Sequence, residues 1–532
     1  MRYIIIMRKK NMKVSVLSFL ALMFASSASA QYAWQADVEP GQLNLGANVH
    51  YNVETQASFS NGKTPLWLNA NKYGLSSLEK QNGYVRASVI RPLQTDSARR
   101  WGIGYGVDVA AAYHYTSKPI VQQAFVEARW LHGVLSVGAK QYPMELKNNA
   151  LSSGAQTLGI NARPVPQVRI ALPEYWTLPF ANHWLHLKGH IAYGRLTDNN
   201  WQHEFTNKEH KYADNTLYHS KAGYLMIGNP DGFYPLSVEL GLETATLFGG
   251  SSYDFVDGKM QLFAKGGTGF GAFARAFIGG GSEQPEKGTV YQNNEGDMLG
   301  SWLMRVNYDA ETWRLSAYAD KFFEDHSSMF QLDYDGYGTG DEWNVKKDRR
   351  FLLYDLKDWM LGAELNLKNG RWLRDVVLEY VYTKYQSGPI YHDHTISISD
   401  HVSGQDNYYN HYIYSGWQHW GQVMGNPLYL SPIYNDNGYI EIMNNRFVAW
   451  HLGFDGSPID NLDYRVLATY QTGYGTYSMP YLAPRYNFSM MIELGYHFNH
   501  NWNVKGAFAL DRGKILGNNY GGQITISKSG IF

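Results

Sequence analysis

Tyr520-Gly-Gly-Gln-Ile-Thr-Ile-Ser-Lys-Ser-Gly-Ile-Phe532 gives the clearest indication of the fold of this chain. Its apolar and polar residues alternate: one face of the extended chain carries Ile524, Ile526 and Phe532, and the other carries Gln523, Thr525, Ser527 and Ser529. This period of two is that of a β-strand with one apolar and one polar face. An aromatic carboxyl terminus on such a strand is typical of the strand that closes a Gram-negative outer-membrane barrel, where the barrel-insertion machinery reads it. We therefore expect an outer-membrane barrel with Phe532 in the periplasm.

The N-terminus predicts export by a cleavable signal peptide over residues 1–30. A basic region with Arg8, Lys9 and Lys10 precedes an apolar stretch over residues 14–25, and Ala28-Ser29-Ala30 provides a small-x-small cleavage site. The apolar stretch is too short for a transmembrane helix, which needs ~20 residues. The mature barrel is then expected over residues 31–532. Because the chain contains no cysteine, we expect neither disulfides nor a lipid attachment.

The composition fits a β-barrel in a membrane. Aromatic residues make up 15% of the chain and glycine occurs 53 times, whereas charged residues make up 17%. No later segment approaches ~18 consecutive apolar residues, so helical spans are excluded, and a closed barrel is the other fold that satisfies the backbone in lipid. The formal net charge of −1 argues against a nucleic-acid partner. A secreted β-sandwich or lectin is the alternative on the strand pattern.

Alternation recurs along the chain in segments of membrane-barrel length. In residues 101–115, for example, Ile103 and Tyr105 alternate with Gly104 and Gly106. Such stripes are long enough to cross a bilayer when tilted. Strands of ~10 residues in a mature chain of ~500 residues predict an all-β transmembrane antiparallel barrel of roughly 16–20 strands.

Long and short connections alternate when the chain is followed back from Phe532. The predicted long connections are residues 511–519, 475–488, 386–445, 323–357 and 279–299. The predicted short ones are residues 499–503, 455–463, 368–374 and 308–312. Outer-membrane barrels have short periplasmic turns and longer outer loops. Residues 386–445 are therefore predicted to form a long extracellular loop.

Residues 64–82 do not alternate. Within them, residues 75–80 (Leu-Ser-Ser-Leu-Glu-Lys) predict the start of a short helix capped by Ser76 or Ser77. Two positions are open for this helical segment: the periplasmic mouth of the barrel, which it would plug, or the lumen. An ordinary connection between two early strands remains the alternative.

Four blocks of sequence together resemble one protein family. They are Ser152-Ser-Gly-Ala-Gln-Thr-Leu-Gly-Ile-Asn-Ala-Arg-Pro-Val-Pro-Gln-Val-Arg-Ile-Ala-Leu-Pro-Glu-Tyr175, Lys188-Gly-His-Ile-Ala-Tyr-Gly-Arg-Leu-Thr-Asp198, His219-Ser-Lys-Ala-Gly-Tyr-Leu-Met-Ile-Gly228, and Asp406-Asn-Tyr-Tyr-Asn-His411 with Ser415-Gly-Trp417 and Gly425-Asn-Pro-Leu428. In this order, over nearly all of the mature chain, they resemble the capsule assembly protein Wzi family. The resemblance implies an outer-membrane barrel with helical material at its periplasmic side. It also implies a lectin whose partners are capsular polysaccharide and outer-membrane lipid.

The loop over residues 386–445 is the predicted site of carbohydrate contact. Aromatic faces stack on the C–H faces of sugars, and Asn, Asp and His bond hydroxyls, so its mixture of side chains suits a glycan. The predicted contact residues are Tyr408, Tyr409, His411, Trp417 and Trp420. The alternative is self-packing, because a long loop needs a core of its own.

A second predicted set consists of polar residues that line the lumen. It comprises His186, Lys188, His190, Arg305 and Arg314. Any water-filled or plugged interior requires a polar lining. The functional alternative is that these cations attract acidic polysaccharide or pass small anions.

Catalytic and metal motifs are weak in this sequence. His203-Glu204 begins a zinc-protease motif, but Asn207 replaces the second histidine, and no G-x-S-x-G elbow is present. His392-Asp-His394 permits weak metal binding at most. We therefore expect no enzyme, no cofactor and no metal. The competing functions are an outer-membrane channel for oligosaccharides or small solutes and, less well supported by any residue set, an outer-membrane hydrolase.

Overall fold

The computed structural model describes residues 43–97, 100–229, 232, 234–279, 295–324, 357–386, 390–391, 402–403 and 405–532. The predicted signal peptide, residues 1–30, lies outside these ranges. Among the helices within them, none combines the length and apolar character that a transmembrane helix requires.

Eighteen strands in the described part of the chain form one antiparallel sheet that closes on itself. They are β1 His50–Ser60, β2 Gln81–Arg91, β3 Trp101–Tyr113, β4 Pro119–Trp130, β5 Gly133–Ala139, β6 Gln167–Thr177, β7 Leu185–Arg195, β8 Leu217–Ile227, β9 Leu236–Phe248, β10 Asp297–Asp309, β11 Trp313–Glu324, β12 Trp359–Leu367, β13 Asp375–Tyr382, β14 Phe447–Ile459, β15 Leu462–Gly475, β16 Pro480–Phe498, β17 Trp502–Gly513 and β18 Asn519–Ile531. Each strand pairs with its neighbours in the chain, and β1 pairs with β18, where Ala57 lies opposite Ile524. The predicted all-β barrel and its strand range are confirmed.

The outer wall of the barrel is apolar, and the inner wall is polar. In β18, Ile524 is 59% exposed on the outside, whereas the neighbouring Gln523 is 6% exposed on the inside. Large apolar side chains are exposed in the same way around the ring, including Val107, Val126, Ile170, Leu240, Leu315, Leu378, Leu452 and Ile492. An apolar exterior on a closed sheet is the arrangement of a barrel that spans a membrane, and it is the reverse of a β-sandwich.

The two ends of the barrel differ in the length of their connections. At the end that carries Phe532, the longest connection is residues 92–100, and the turns predicted near residues 308–312, 368–374 and 499–503 are all short. The long connections 140–166, 249–296 and 383–446 lie at the other end. The predicted length of two loops is wrong. Strands extend into the predicted loops 475–488 and 511–519, so the connections are only residues 476–479 and 514–518.

Three of the long connections fold back into the barrel. We call residues 61–80, 140–166 and 405–446 the lumen plug. Side chains from all three, including Trp67, Leu151 and Trp417, join inner-wall side chains in one buried apolar cluster. Phe322 of β11, for example, packs edge-on to Tyr408 with the ring centroids 4.6 Å apart. The predicted extracellular loop over residues 386–445 is therefore, where described, largely an interior element.

Hydrogen bonds fix the plug to the wall at several heights. Glu379 of β13 accepts bonds from Ser152 Oγ at 2.6 Å, from Ser153 N at 2.7 Å and from the Tyr318 hydroxyl at 2.6 Å. Lys147 forms a buried ion pair with Asp320 of β11 at 2.9 Å. Buried charges are tolerated when they are paired and hydrogen-bonded in this way.

The helices in the described part of the chain are few and short. They are α1 Leu66–Asn69, α2 Trp201–Phe205 and α3 Phe270–Ile278, with 3₁₀ turns at Leu93–Asp96, Ala181–His183, Pro432–Tyr434 and Asn499–Asn501. Short strands outside the barrel are Tyr212–Asp214, Ser251–Val256 and Lys259–Lys265 in one sheet, Ile390–Tyr391 with Val402–Ser403, and Gln418–His419 with Gln422–Val423.

The helical segment predicted within residues 64–82 lies in the lumen, but its details differ from the prediction. The helix is α1 and not residues 75–80, because Ser77 Oγ donates to the carbonyl of His114 and accepts from Glu79 N in a non-helical loop. The segment joins the ends of β1 and β2 that lie opposite Phe532. It therefore enters from the end of the long connections and not at the periplasmic side, where helical material was expected.

A charge on the outer wall tests the membrane assignment. We expect Ile524→Arg to lower the free energy of unfolding in lipid vesicles by roughly 2–4 kcal/mol, because Ile524 lies near the middle of β18 on the outer face. Ile524→Leu is the matched control and should be close to neutral. Equal stability of the two variants in a denaturant titration would contradict a lipid-facing position.

Candidate ligand-binding site

A cavity of about 100 Å³ lies between the plug and the inner wall formed by β6 to β9. Its lining combines phenol rings, charged groups and small polar side chains. These include Tyr73, Lys140, Tyr142, Glu145, Thr157, Arg163, Gln167, Arg169, His190, Tyr218, Ser220, Tyr224 and Glu243. Both the plug and the barrel are needed to form it, since residues 140–166 supply one side and the strands supply the other.

Tyr142 lines this cavity with a cation stacked on its ring. The Arg169 guanidinium lies 3.9 Å from the centroid of its ring, and the Tyr73 hydroxyl donates to its backbone carbonyl at 3.1 Å. Burial raises the pKa of Tyr73 to about 12 and also raises the pKa of Tyr142. Both phenols are therefore neutral hydrogen-bond donors at neutral pH.

Ion pairs hold the charged side chains at the edge of the cavity. Lys188 Nζ lies 2.5 Å from a Glu145 oxygen, and Lys140 Nζ lies 2.6 Å from a Glu127 oxygen. Arg163, by contrast, donates to the Thr116 hydroxyl at 2.8 Å and stacks on the Trp420 ring at 4.0 Å. Burial lowers the pKa of Arg163 to about 10, so its guanidinium keeps its charge at neutral pH.

Four residues that line the cavity each bury a polar atom with no hydrogen-bond partner among the described residues. The atoms are Nε of Arg163, Oε1 of Gln167, Nε of Arg169 and Oε2 of Glu243. Buried polar atoms are nearly always bonded to something, and leaving them unbonded is costly. The walls of the cavity therefore contain two donors and two acceptors that no other described group satisfies.

The residues predicted to contact carbohydrate at the surface do not form a surface site. Tyr408, Tyr409 and Trp417 have no exposed surface, and Tyr409 packs on Tyr429 with the ring centroids 4.1 Å apart. Their contacts are those of a core, so surface contact by these three is corrected in favour of self-packing. Trp420 is half-buried, and its stacking on Arg163 brings it to the rim of the cavity.

His411 is half-buried within the plug. Its Nδ1 accepts a hydrogen bond from Ile413 N at 3.1 Å, and burial lowers its pKa to about 4. His419 is similar: Nδ1 donates to the carbonyl of Arg163 at 2.9 Å, Nε2 accepts from Thr197 N at 3.1 Å, and burial lowers its pKa to about 4. Both rings are neutral structural groups of the plug.

The predicted lumen-lining residues all face inward, but they do not form one site. His190 lines the cavity, where it bonds the Ser220 hydroxyl at 3.3 Å. Lys188 is not part of the lining but pairs with Glu145, which is. His186 is buried further along β7, where its Nε2 donates to the carbonyl of Gly228 at 3.2 Å.

Arg305 and Arg314 lie on neighbouring strands, away from this cavity. Arg305 pairs with Glu364 at 2.7 Å, and Arg314 lines a separate space of about 430 Å³ near the short-turn end. The cations of this predicted set therefore lie on several strands and not in one site.

Sequence reasoning missed Tyr142, Arg163 and Arg169. The two arginines lie within the block over residues 152–175 that carried the family resemblance, yet nothing local marks them as neighbours in space. The predicted weak metal motif at residues 392–394 lies outside the described residues, and the described ranges contain no cluster of three or more metal-ligating side chains.

Comparisons with known proteins give the fold. No protein-family model and no curated sequence matches the chain. Among solved structures, Wzi of Escherichia coli, an outer-membrane protein involved in group 1 capsule assembly and a carbohydrate-binding β-barrel, matches with a TM-score of 0.50 at 11% identity over 91% of this chain and 84% of that chain.

Two Pseudomonas aeruginosa barrels match less closely. OprD has a TM-score of 0.41 at 9% identity over 91% of this chain and 95% of that chain. OccK2, in complex with glucuronate, has a TM-score of 0.44 at 10% identity over 91% of this chain and 98% of that chain. The fold of this chain is that of an outer-membrane β-barrel.

Acidification should loosen the plug. In the unfolded chain His411 and His419 have ordinary pKa values of about 6.5, and in the plug their pKa is about 4. Between pH 4 and 6.5 the unfolded plug therefore binds more protons than the folded plug. The stability that the neutral histidines give the plug above pH 6.5 falls as the pH drops towards 4, by up to about 3 kcal/mol for each histidine.

Hydrogen exchange measures this effect directly. Amide protection over residues 405–446, corrected for intrinsic exchange, should fall between pH 6.5 and 4. His411→Asn should reduce this dependence by about half, because asparagine does not titrate and His419 remains. Protection that stays constant over this pH range would contradict the buried neutral histidines.

Proposed function

We propose that this chain is a non-enzymatic, lectin-like outer-membrane protein that binds carbohydrate and anchors capsular polysaccharide at the cell surface. The observation that carries the proposal is the lumen plug. Apolar side chains from three connections pack against the inner wall in one buried cluster. A barrel filled in this way suits binding better than diffusion, which supports the lectin over the alternative of an oligosaccharide or small-solute channel.

The chemistry of the cavity favours a sugar. Tyr73, Tyr142, Tyr218 and Tyr224 line the cavity with aromatic rings, and the Arg169 guanidinium lies over the ring of Tyr142. Sugar rings combine C–H faces, which stack on aromatic rings, with hydroxyls, which donate and accept hydrogen bonds. The buried Nε atoms of Arg163 and Arg169 and the free oxygens of Gln167 and Glu243 match that pattern of donors and acceptors.

The charges of the cavity favour an acidic sugar. Lys140 and Lys188 are paired with carboxylates, but Arg163 and Arg169 form no ion pair among the described residues. A guanidinium binds a carboxylate with two parallel hydrogen bonds, and such charge-assisted bonds are about twice as strong as neutral ones. A uronic acid or a similar anionic sugar of a capsule would supply that carboxylate.

The structural likeness to Wzi supports capsular polysaccharide as the carbohydrate. That protein is involved in capsule assembly and binds carbohydrate, and the structural match to it spans 91% of this chain. The resemblance of residues 152–175 and 406–428 to the same family supports the proposal further, because both blocks lie in or next to the plug.

Variants of the cavity test carbohydrate binding. On an array of acidic and neutral capsular oligosaccharides, we expect the purified barrel to prefer acidic sugars. Arg169→Gln and Tyr142→Ala should each weaken binding about tenfold, the effect of losing roughly 1.4 kcal/mol from one charge-assisted or stacking contact.

Trp372→Ala is the matched control for these variants. Trp372 is an exposed aromatic in a short turn far from the cavity, so its loss should leave binding unchanged. Equal binding by wild-type protein and both cavity variants, with all of them folded, would move the site elsewhere.

Deletion of the gene tests the anchoring role. We expect capsular polymer to be synthesised in normal amount but released into the medium, because the chain acts after synthesis by holding the polymer. The measurement is the ratio of cell-bound to free capsular sugar, with a complemented strain as control. A deletion strain with a normal cell-bound layer would contradict the proposal.

A further inference from the structure

Helix α3 lies on the outside of the barrel wall. It packs on Tyr193 of β7, on His219 of β8 and on Phe248 of β9. Tyr193 and His219 belong to the outward-facing rows. They pair with each other, whereas Ser220, next to His219, and His190, three residues before Tyr193, face the cavity inside. Outward-facing Phe248 is nevertheless fully buried, because α3 covers it.

Specific contacts fix α3 against the wall. Ala272 and Ala276 are buried, and their small side chains let the helix approach the strands closely. The Tyr193 hydroxyl donates to the backbone carbonyl of Phe273 at 2.9 Å, and Lys221 Nζ donates to the carbonyl of Phe277. The helix is therefore a fixed part of the outer surface.

The face of α3 that points away from the barrel is apolar. Phe270 is 89% exposed, Ile278 is 75% exposed and Phe277 is 37% exposed. The one charged side chain of the helix, Arg275, donates to Glu295 at 2.8 Å. Large apolar side chains that are exposed on one helix without an exposed charge on that helix mark an interaction surface.

The position of this patch identifies what covers it. Lys221, which holds the helix at Phe277, is the pairing partner of Ile191, an exposed apolar residue of the outer wall. The apolar face of α3 therefore continues the lipid-facing band of the barrel at the end of the long connections. Amphipathic helices at such a level lie in the membrane plane with their apolar side chains among the acyl chains.

We infer that α3 is an interfacial helix that docks on the acyl chains of the membrane leaflet at the long-connection end, through Phe270, Phe277 and Ile278. It widens the contact between barrel and lipid on one side, next to the strands that form the cavity wall. This inference rests on the outer wall and not on the proposed carbohydrate function.

Single-cysteine spin labels test the inference, and the absence of native cysteine makes the labelling specific. Labels at Phe270→Cys and Ile278→Cys, in the full chain in lipid vesicles, are probed by collision with oxygen and with a water-soluble nickel chelate. Ile170→Cys on the outer wall is the lipid control, and Glu209→Cys in an exposed loop is the water control.

We expect the oxygen-to-nickel collision ratio at positions 270 and 278 to match that at position 170 and to exceed that at position 209. A ratio equal to that of position 209 would place the helix in water and overturn the inference. Low collision with both reagents would mean that protein, such as a second copy of this chain, covers the face, and would overturn it as well.

Discussion

An 18-stranded barrel encloses a lumen that its own inward side chains cannot fill, and the rest of this structure follows from that constraint. Connections between strands of the same chain fill the remaining space. A chain of hydrogen bonds through two wall residues joins the plug segments 61–80 and 140–166. Trp67 Nε1 donates to the Thr469 hydroxyl at 3.2 Å, and Thr469 bonds His451 Nδ1 at 2.7 Å. His451 Nε2 in turn donates to the carbonyl of Leu151 at 2.8 Å. A single arrangement of donors and acceptors satisfies these hydrogen bonds, so the two segments of the plug have a fixed register against the barrel.

The filled lumen also explains why the candidate site lies inside. Where the plug segment 140–166 passes β6 to β9, the apolar packing gives way to Tyr142, Arg163 and Arg169. Rigid strands hold one side of this cavity and the plug holds the other, so any change that releases the plug also dismantles the site. Plug stability and ligand binding are therefore coupled through the same contacts.

Sequence alone predicted the features that depend on local periodicity. Alternation identified the strands, the inward direction of His186, Lys188 and His190, and the outward direction of Ile524. It did not predict whether a loop points outward or folds into the lumen, because an aromatic-rich loop has the same composition whether it binds a ligand or packs on itself. Tyr409 illustrates the difference, since its hydroxyl donates to the carbonyl of Gln156, 253 residues away. The cavity was missed for the same reason: it forms between segments that only the closed barrel brings together.

Conductance in planar bilayers tests whether the plug closes the lumen. We expect purified wild-type protein to pass no steady current, whereas replacing residues 405–445 with a short Gly-Ser linker should produce current proportional to salt concentration. The linker variant also serves as the control that the protein inserts. Large, open, salt-proportional currents from the wild-type protein would contradict a plugged barrel and would favour the channel.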